Sequence, residues 1–131
     1  MSKKDKKPVF VVDNDTQYSE FDKRYHKKAK FYSTTKLVGR STAEDQEIFI
    51  KSSSEDIHII TRNCHHFIPQ QIQHPTVKIG IVGIASTNVN ESIKTFGKLL
   101  KQLPKHEDYR NKYISVSSKG FVITDRTTEI N

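Results

Sequence analysis

Apolar residues fall along this chain in short blocks separated by stretches of helical spacing. Val9-Phe10-Val11-Val12 is a near-continuous apolar run that ends abruptly at Asp13-Asn14-Asp15, the pattern of a buried strand that delivers carboxylates at its end. Thr16 can cap a helix running to about Lys28, with Tyr18, Phe21, Tyr25 and Ala29 on one side and Lys23, Arg24, Lys27 and Lys28 on others. The aromatic side is what burial requires, and it reads as core before it reads as a platform for stacking bases. Lys30 to Thr35 predicts a short strand anchored on Phe31, with the loop Lys36-Leu37-Val38-Gly39-Arg40-Ser41 after it.

Ser41 and Glu44, or Thr42 and Asp45, stand at the spacing of a capping box, so a helix is expected to start there. It continues through Ile48, Phe49 and Ile50 and ends weakly at Lys51-Ser52-Ser53-Ser54. Asp56 to Thr61 is a second near-continuous strand, ending in Arg62-Asn63-Cys64-His65-His66-Phe67. Pro69 and Pro75 bracket a loop that has room for one helical turn over Gln70 to Gln73. Val77 to Ile84 is a third strand, and Gly80 and Gly83 within it point to close packing. From Asn88, paired with Glu91 as a cap, the residues Val89, Ile93, Phe96, Leu99, Leu100 and Leu103 share a helical face until Pro104 stops it. Tyr113 to Ser117 and Phe121 to Thr124 alternate polar and apolar residues across Ser118-Lys119-Gly120, as a C-terminal β-hairpin does.

Strands that alternate with helices predict an α/β sandwich with a mainly parallel central sheet. At 131 residues the chain has the length of one domain. Residues 1–8 read as a basic, solvated tail and 9–131 as the single domain. The opening Met-Ser-Lys-Lys-Asp-Lys-Lys-Pro is not followed by an apolar stretch suited to a signal peptide or a membrane span. Lysine and arginine exceed aspartate and glutamate by 22 to 15, a formal charge of +7, which favours a polyanionic partner over a neutral small molecule or else marks a lysine-rich solvated surface. One cysteine, Cys64, leaves no internal disulfide framework, so the expected location is cytoplasmic. A zinc site of Cys64, His65 and His66 lacks a second ligand pair at finger spacing. Glycine-rich phosphate loops of the Walker and dinucleotide types are absent.

If the strands lie parallel, their polar ends share one edge, and open α/β sheets bind ligands beyond that edge. The groups gathered there are Asp13, Asp15, Asp45, Thr61, Asn63 and His66. The bland alternatives are that Asp13 and Asp15 start a turn and Asp45 caps a helix. Hard oxygen donors of this kind suit Mg²⁺ or Mn²⁺, which are held by one or two carboxylates together with substrate phosphates. With a basic exterior, metal-dependent phosphodiester hydrolysis is the natural chemistry.

Val11-Val12-Asp13-Asn14-Asp15, Gly39-Arg40-Ser41-Thr42-Ala43-Glu44-Asp45-Gln46-Glu47-Ile48 and Ile59-Ile60-Thr61-Arg62-Asn63-Cys64-His65-His66-Phe67 resemble, in that order, the small stand-alone PIN-like proteins of prokaryotes, which are similar to VapC-type toxin ribonucleases. The likeness runs from Val9 to about Arg126. It implies a PIN-like three-layer sandwich and a metal-dependent endoribonuclease acting on single-stranded RNA. It further implies a toxin paired with an antitoxin protein, and leaves room for a homodimer. Carried over by position, Asp13 matches the first-strand metal ligand and Asp45 the acidic residue at a helix start; Asp15, two residues after Asp13 in the sequence, is expected to help them as a metal ligand. Asn63 and His66 complete the catalytic group, and Thr61, Arg62, Arg40 and His65 are the expected substrate contacts. His66 stands where the family usually has aspartate; histidine suits Mn²⁺ or proton transfer better than Mg²⁺. The alternative is therefore a degenerate module that binds RNA or a protein without cutting.

Overall fold

The computed structural model describes residues 6–13, 15–39, 44–62 and 78–125, and for Asp15 and Thr16 the backbone alone. Six strands form one sheet: β1 (Val9–Val12), β2 (Lys30–Ser33), β3 (His58–Thr61), β4 (Ile81–Ile84), β5 (Lys112–Ser117) and β6 (Gly120–Asp125). Their spatial order is β2-β1-β3-β4-β5-β6, with every pairing parallel except the last. The parallel part, 2-1-3-4-5, is a common doubly wound order in which the direction of winding reverses between β1 and β3. Around it lie α1 (Asp15–Tyr25), α2 (Thr34–Val38), α3 (Asp45–Glu55) and α4 (Val89–Gln102), with a 3₁₀ turn at His106–Tyr109. The α/β architecture and mainly parallel sheet are thus those expected from the sequence.

The strands read as apolar runs because both faces are covered. On β1, Phe10 and Val12 face one core with Ile60, Val82 and Ile84, closed by Phe21 of α1 and Ile93, Phe96 and Leu99 of α4. Val11 points the other way, with Ile59 and Ile81, against Ile48 and Phe49 of α3. The side-chain period of two in each strand therefore separates the layers. The aromatic stripe of α1 is core: Phe21 and Ala29 are buried, and the Tyr25 hydroxyl donates to the Ile93 carbonyl at 2.6 Å. Phe96 sits at the centre, edge-on to Phe10, Phe21 and Tyr25.

Several element ends differ from the sequence reading, each through a local hydrogen bond. The stretch expected as the end of β2 and a loop folds instead as α2, because Ser33 accepts from the Lys36 amide at 3.1 Å and Gly39, at φ 90°, closes the turn onto Thr35 O at 2.8 Å. The start of α3 uses Glu44, whose N–H is received by the Glu47 carboxylate at 3.3 Å; Ser41 and Thr42, expected in that role, lie outside the described residues. The serines near its end do not stop it, since the Ser53 and Ser54 hydroxyls turn back to Phe49 O and Lys51 O, and left-handed Asp56 terminates it. Asn88 precedes α4 in a left-handed conformation without a side-chain cap, while its carbonyl takes both the amide and the hydroxyl of Ser92. β5 and β6 pair antiparallel, Ser117 opposite Gly120, around Ser118 and Lys119.

At Gly80 the backbone passes close against the 3₁₀ turn. A Cβ there would lie 2.1 Å from the Tyr109 carbonyl oxygen, a backbone atom fixed by the 3₁₀ turn. Gly80→Ala is expected to destabilise the protein by about 2 kcal/mol, as overpacking of a rigid contact does. Urea titration measures it, and an unchanged midpoint would show that the turn yields freely.

Candidate functional site

Two ends of the sheet differ in chemistry. At the carboxyl end, β1 finishes with the Asp13 amide donating to Ile60 O at 2.7 Å, so Asp13 continues the parallel ladder by one residue. Its side chain is half-buried, and its Oδ2 accepts a hydrogen bond at 3.0 Å from the hydroxyl of Thr61, the buried last residue of β3. The two residues thus join the strands between which the winding reverses, the place where doubly wound sheets bind ligands.

A narrow crevice opens there, lined by Asp13, Gln17, Phe21, Thr61, Arg62 and Ile84 among others. It is too narrow to enclose a ligand, so a substrate would lie across its rim. Arg62 directly follows β3, and its Nε is buried without a hydrogen-bond partner among the described residues.

Asp45 is the first residue of α3 and is half-buried. α3 precedes β3 in the chain and packs in the layer that covers Val11, Ile59 and Ile81. Asp13 ends a strand of the sheet, and Asp45 starts a helix of the layer that covers one of its faces. Asp15 opens α1 and its side chain is not described; Arg40, Asn63, His65 and His66 lie outside the described residues. Among the described residues no three histidine, cysteine, aspartate or glutamate side chains come together to hold a metal. The donors that are described there, the Asp13 carboxylate and the Thr61 hydroxyl bonded to it, are hard oxygens of the type that Mg²⁺ and Mn²⁺ accept.

The amino end of the sheet holds a buried polar cluster that the sequence reading passed over. His58, the first residue of β3, is fully buried; its Nδ1 accepts from the Gly80 amide at 2.8 Å and its Nε2 donates to His106 O at 2.9 Å. His106 packs on it with ring centroids 4.1 Å apart and accepts from the Val9 amide through Nδ1. Its Nε2 faces Asp56 Oδ1 at 3.5 Å, and Arg110 grips both Asp56 oxygens at 2.7 and 2.8 Å. Burial holds the His58 pKa down at about 3 and also lowers that of His106, while the Arg110 hydrogen bonds bring Asp56 to about 2. Both imidazoles are neutral crosslinks here. The signal in the sequence was a histidine at a buried position of an otherwise apolar strand, Ile57-His58-Ile59.

Fold and crevice together define an α/β protein whose carboxyl-edge carboxylate sits at a topological switch point. Set against known proteins, the chain matches no family model, no curated protein and no solved structure. No helix among the described residues is long and apolar enough to cross a membrane.

Proposed function

We propose that the protein is a PIN-like, metal-dependent ribonuclease that hydrolyses phosphodiester bonds of single-stranded RNA at the carboxyl edge of its sheet, in the setting of a toxin and its antitoxin. The observation that carries the reading is the Asp13 carboxylate fixed by the Thr61 hydroxyl between β1 and β3. Asp13 and Asp45 would hold Mg²⁺ or Mn²⁺, which when bound neutralises charge on the phosphate and makes water more acidic. Thr61 orients the Asp13 carboxylate, so that no rotamer has to be fixed as substrate arrives. Arg62 supplies a cation at the rim for a phosphate oxygen. Hydrolysis forms one new P–O bond from water, breaks the bridging P–O bond, and returns the water's proton to the leaving oxygen. Gln17 also lines the crevice.

The experiment is degradation of labelled single-stranded RNA by purified protein with Mg²⁺ or Mn²⁺, beside the Asp13→Asn variant. Thr61→Val, which keeps the shape and removes the hydroxyl, is expected to lower cleavage about tenfold or more, the usual effect of losing a group that orients a ligand. Wild-type rates in Thr61→Val would remove the positioning role.

A second reading is favoured by His66, which stands in the sequence where the resemblance leads one to expect aspartate. In it the same edge binds RNA or a protein partner without cutting. Calorimetric titration with Mn²⁺ distinguishes the two: the nuclease reading requires binding that Asp13→Asn weakens, and the binding-only reading requires RNA affinity that is indifferent to the ion.

A further inference from the structure

Among the described residues, two clefts are roomier than the Asp13 crevice. Both lie at the amino edge of the sheet, one on each side of the segment that leads into β1. The first, of about 420 Å³, has Lys6, Lys30 and Lys36 in its lining, with the half-buried ring of Tyr32 and the carboxylates Glu55 and Asp56. Asp56 is already matched by the bidentate Arg110 contact. The second, of about 340 Å³, is lined by Lys7, Lys27, Lys28, Leu100, Lys101 and Pro104, with no acidic residue. Lys6 faces one cleft and its neighbour Lys7 the other, so the basic lining is continuous across the edge.

Topology explains the gathering. The ends of α1 and α4 and the starts of β1 and β2 all reach this edge, and each brings lysines. The segment carrying Lys6 and Lys7 is tied in place, because Lys6 O accepts from the His106 amide at 2.8 Å and Pro8 O from the Lys30 amide at 2.9 Å. The backbone here is therefore tied to the domain while the Lys6 and Lys7 side chains stay exposed; Met1–Asp5 lie outside the described residues. Some of the charge answers the partial negative charge of the α1 and α4 carboxyl ends, yet such an end amounts to only about half an elementary charge. Lysines on both sides of the edge exceed that requirement.

We propose that this amino edge is a second contact surface for single-stranded RNA, whose sugar–phosphate backbone runs from one cleft to the other across Lys6 and Lys7. Lysine suits the role: a hydrated point charge on a flexible stem neutralises phosphates without demanding a sequence. An acidic protein partner is disfavoured because lysine is depleted from protein interfaces, whose buried centres are apolar and aromatic. The clefts are nucleotide-sized, which fits an unpaired strand rather than a duplex, and in the first the Lys30 ammonium lies over the Tyr32 ring at 5.1 Å, which holds that charge at the cleft wall. The choice of RNA rests on the proposed function; the basic track rests on the lysines alone.

The test measures affinity for a labelled oligouridylate over a range of salt concentrations. Lys27→Glu/Lys28→Glu is compared with Lys51→Glu/Lys119→Glu, which makes the same charge change at exposed positions of α3 and the β5–β6 turn. The first pair is expected to weaken binding at least tenfold and to flatten the slope of log affinity against log salt by about 1.4, or about 0.7 for each phosphate no longer neutralised. The second is expected to change binding less than threefold. Thermal unfolding checks both variants, and Lys7→Gln/Lys101→Gln repeats the test through other chain segments should the first pair fold poorly. Equal losses in both pairs, tighter binding to a duplex of the same length, or displacement of the RNA by polyglutamate at equal charge concentration each overturn the proposal. Cleavage is not the readout, so a loss of binding in these variants is separable from failure of the nuclease reading, which Asp13→Asn probes.

Discussion

Replacing Asp13 with asparagine is expected to abolish measurable RNA cleavage, a fall on the order of a hundredfold or more, while leaving the fold intact. Asparagine keeps the size and one carbonyl oxygen, so the Thr61 hydroxyl, now 3.0 Å from Oδ2, retains an acceptor. The backbone bond from residue 13 to Ile60 O does not involve the side chain. What disappears is the negative charge at the switch point. Stabilising charge on a phosphate through a bound cation accounts for several kcal/mol, and each decade in rate is about 1.4 kcal/mol. Asp45→Asn is expected to act in the same direction if both carboxylates serve one ion. Single-turnover cleavage of a labelled RNA, with thermal unfolding as the check on folding, measures both. Cleavage by Asp13→Asn at the wild-type rate would mean that the activity in the preparation is foreign or that the chemistry lies elsewhere.

The carboxyl edge was legible in the sequence because its information is local. An apolar run that stops at Asp13, and another that stops at Thr61, mark two strand ends, and parallel pairing brings such ends together whatever joins them. The contact between Asp13 and Thr61 follows from the register in which Val12 lies opposite Ile60. What could not be read was anything fixed by partners remote in sequence. His58 looks like a polar interruption of a strand until Gly80 and His106, from two other segments, satisfy its two nitrogens. The short helix α2 was missed for the opposite reason: its cap is a single serine hydroxyl, and its composition does not differ from that of a loop. Lys27 and Lys28 stand out in the sequence as part of a basic helix side, but their joining with Lys7 and Lys101 in one lining depends on the ends of α1 and α4 meeting the segment before β1.

Acidification from pH 7 to pH 4 is expected to remove about 3 kcal/mol of stability through His58 alone. A histidine in the unfolded chain takes its proton near pH 6.5, whereas His58 in the fold does so only near pH 3. Between those values the unfolded chain binds the extra proton, so stability falls as pH drops, by up to about 1.4 kcal/mol per unit. The stabilising contribution is therefore complete above pH 6.5 and has gone by pH 3. The reason is geometric: Nδ1 is occupied as an acceptor of the Gly80 amide, and a proton there would break that bond inside an apolar layer. His106 adds in the same sense, because burial lowers its pKa too, while Asp56 opposite its Nε2 moderates the effect and Lys6 and Arg110 reinforce it. The Asp56 carboxyl, lowered to about 2, contributes only as pH falls below the ordinary carboxylate range. Urea unfolding across this pH interval should show the decline in the wild type. His58→Leu would leave the Gly80 amide and the His106 carbonyl unpaired, so it starts less stable at pH 7 but loses less on acidification. The two stability curves should converge toward pH 4; curves that remain parallel would place the acid sensitivity in other groups.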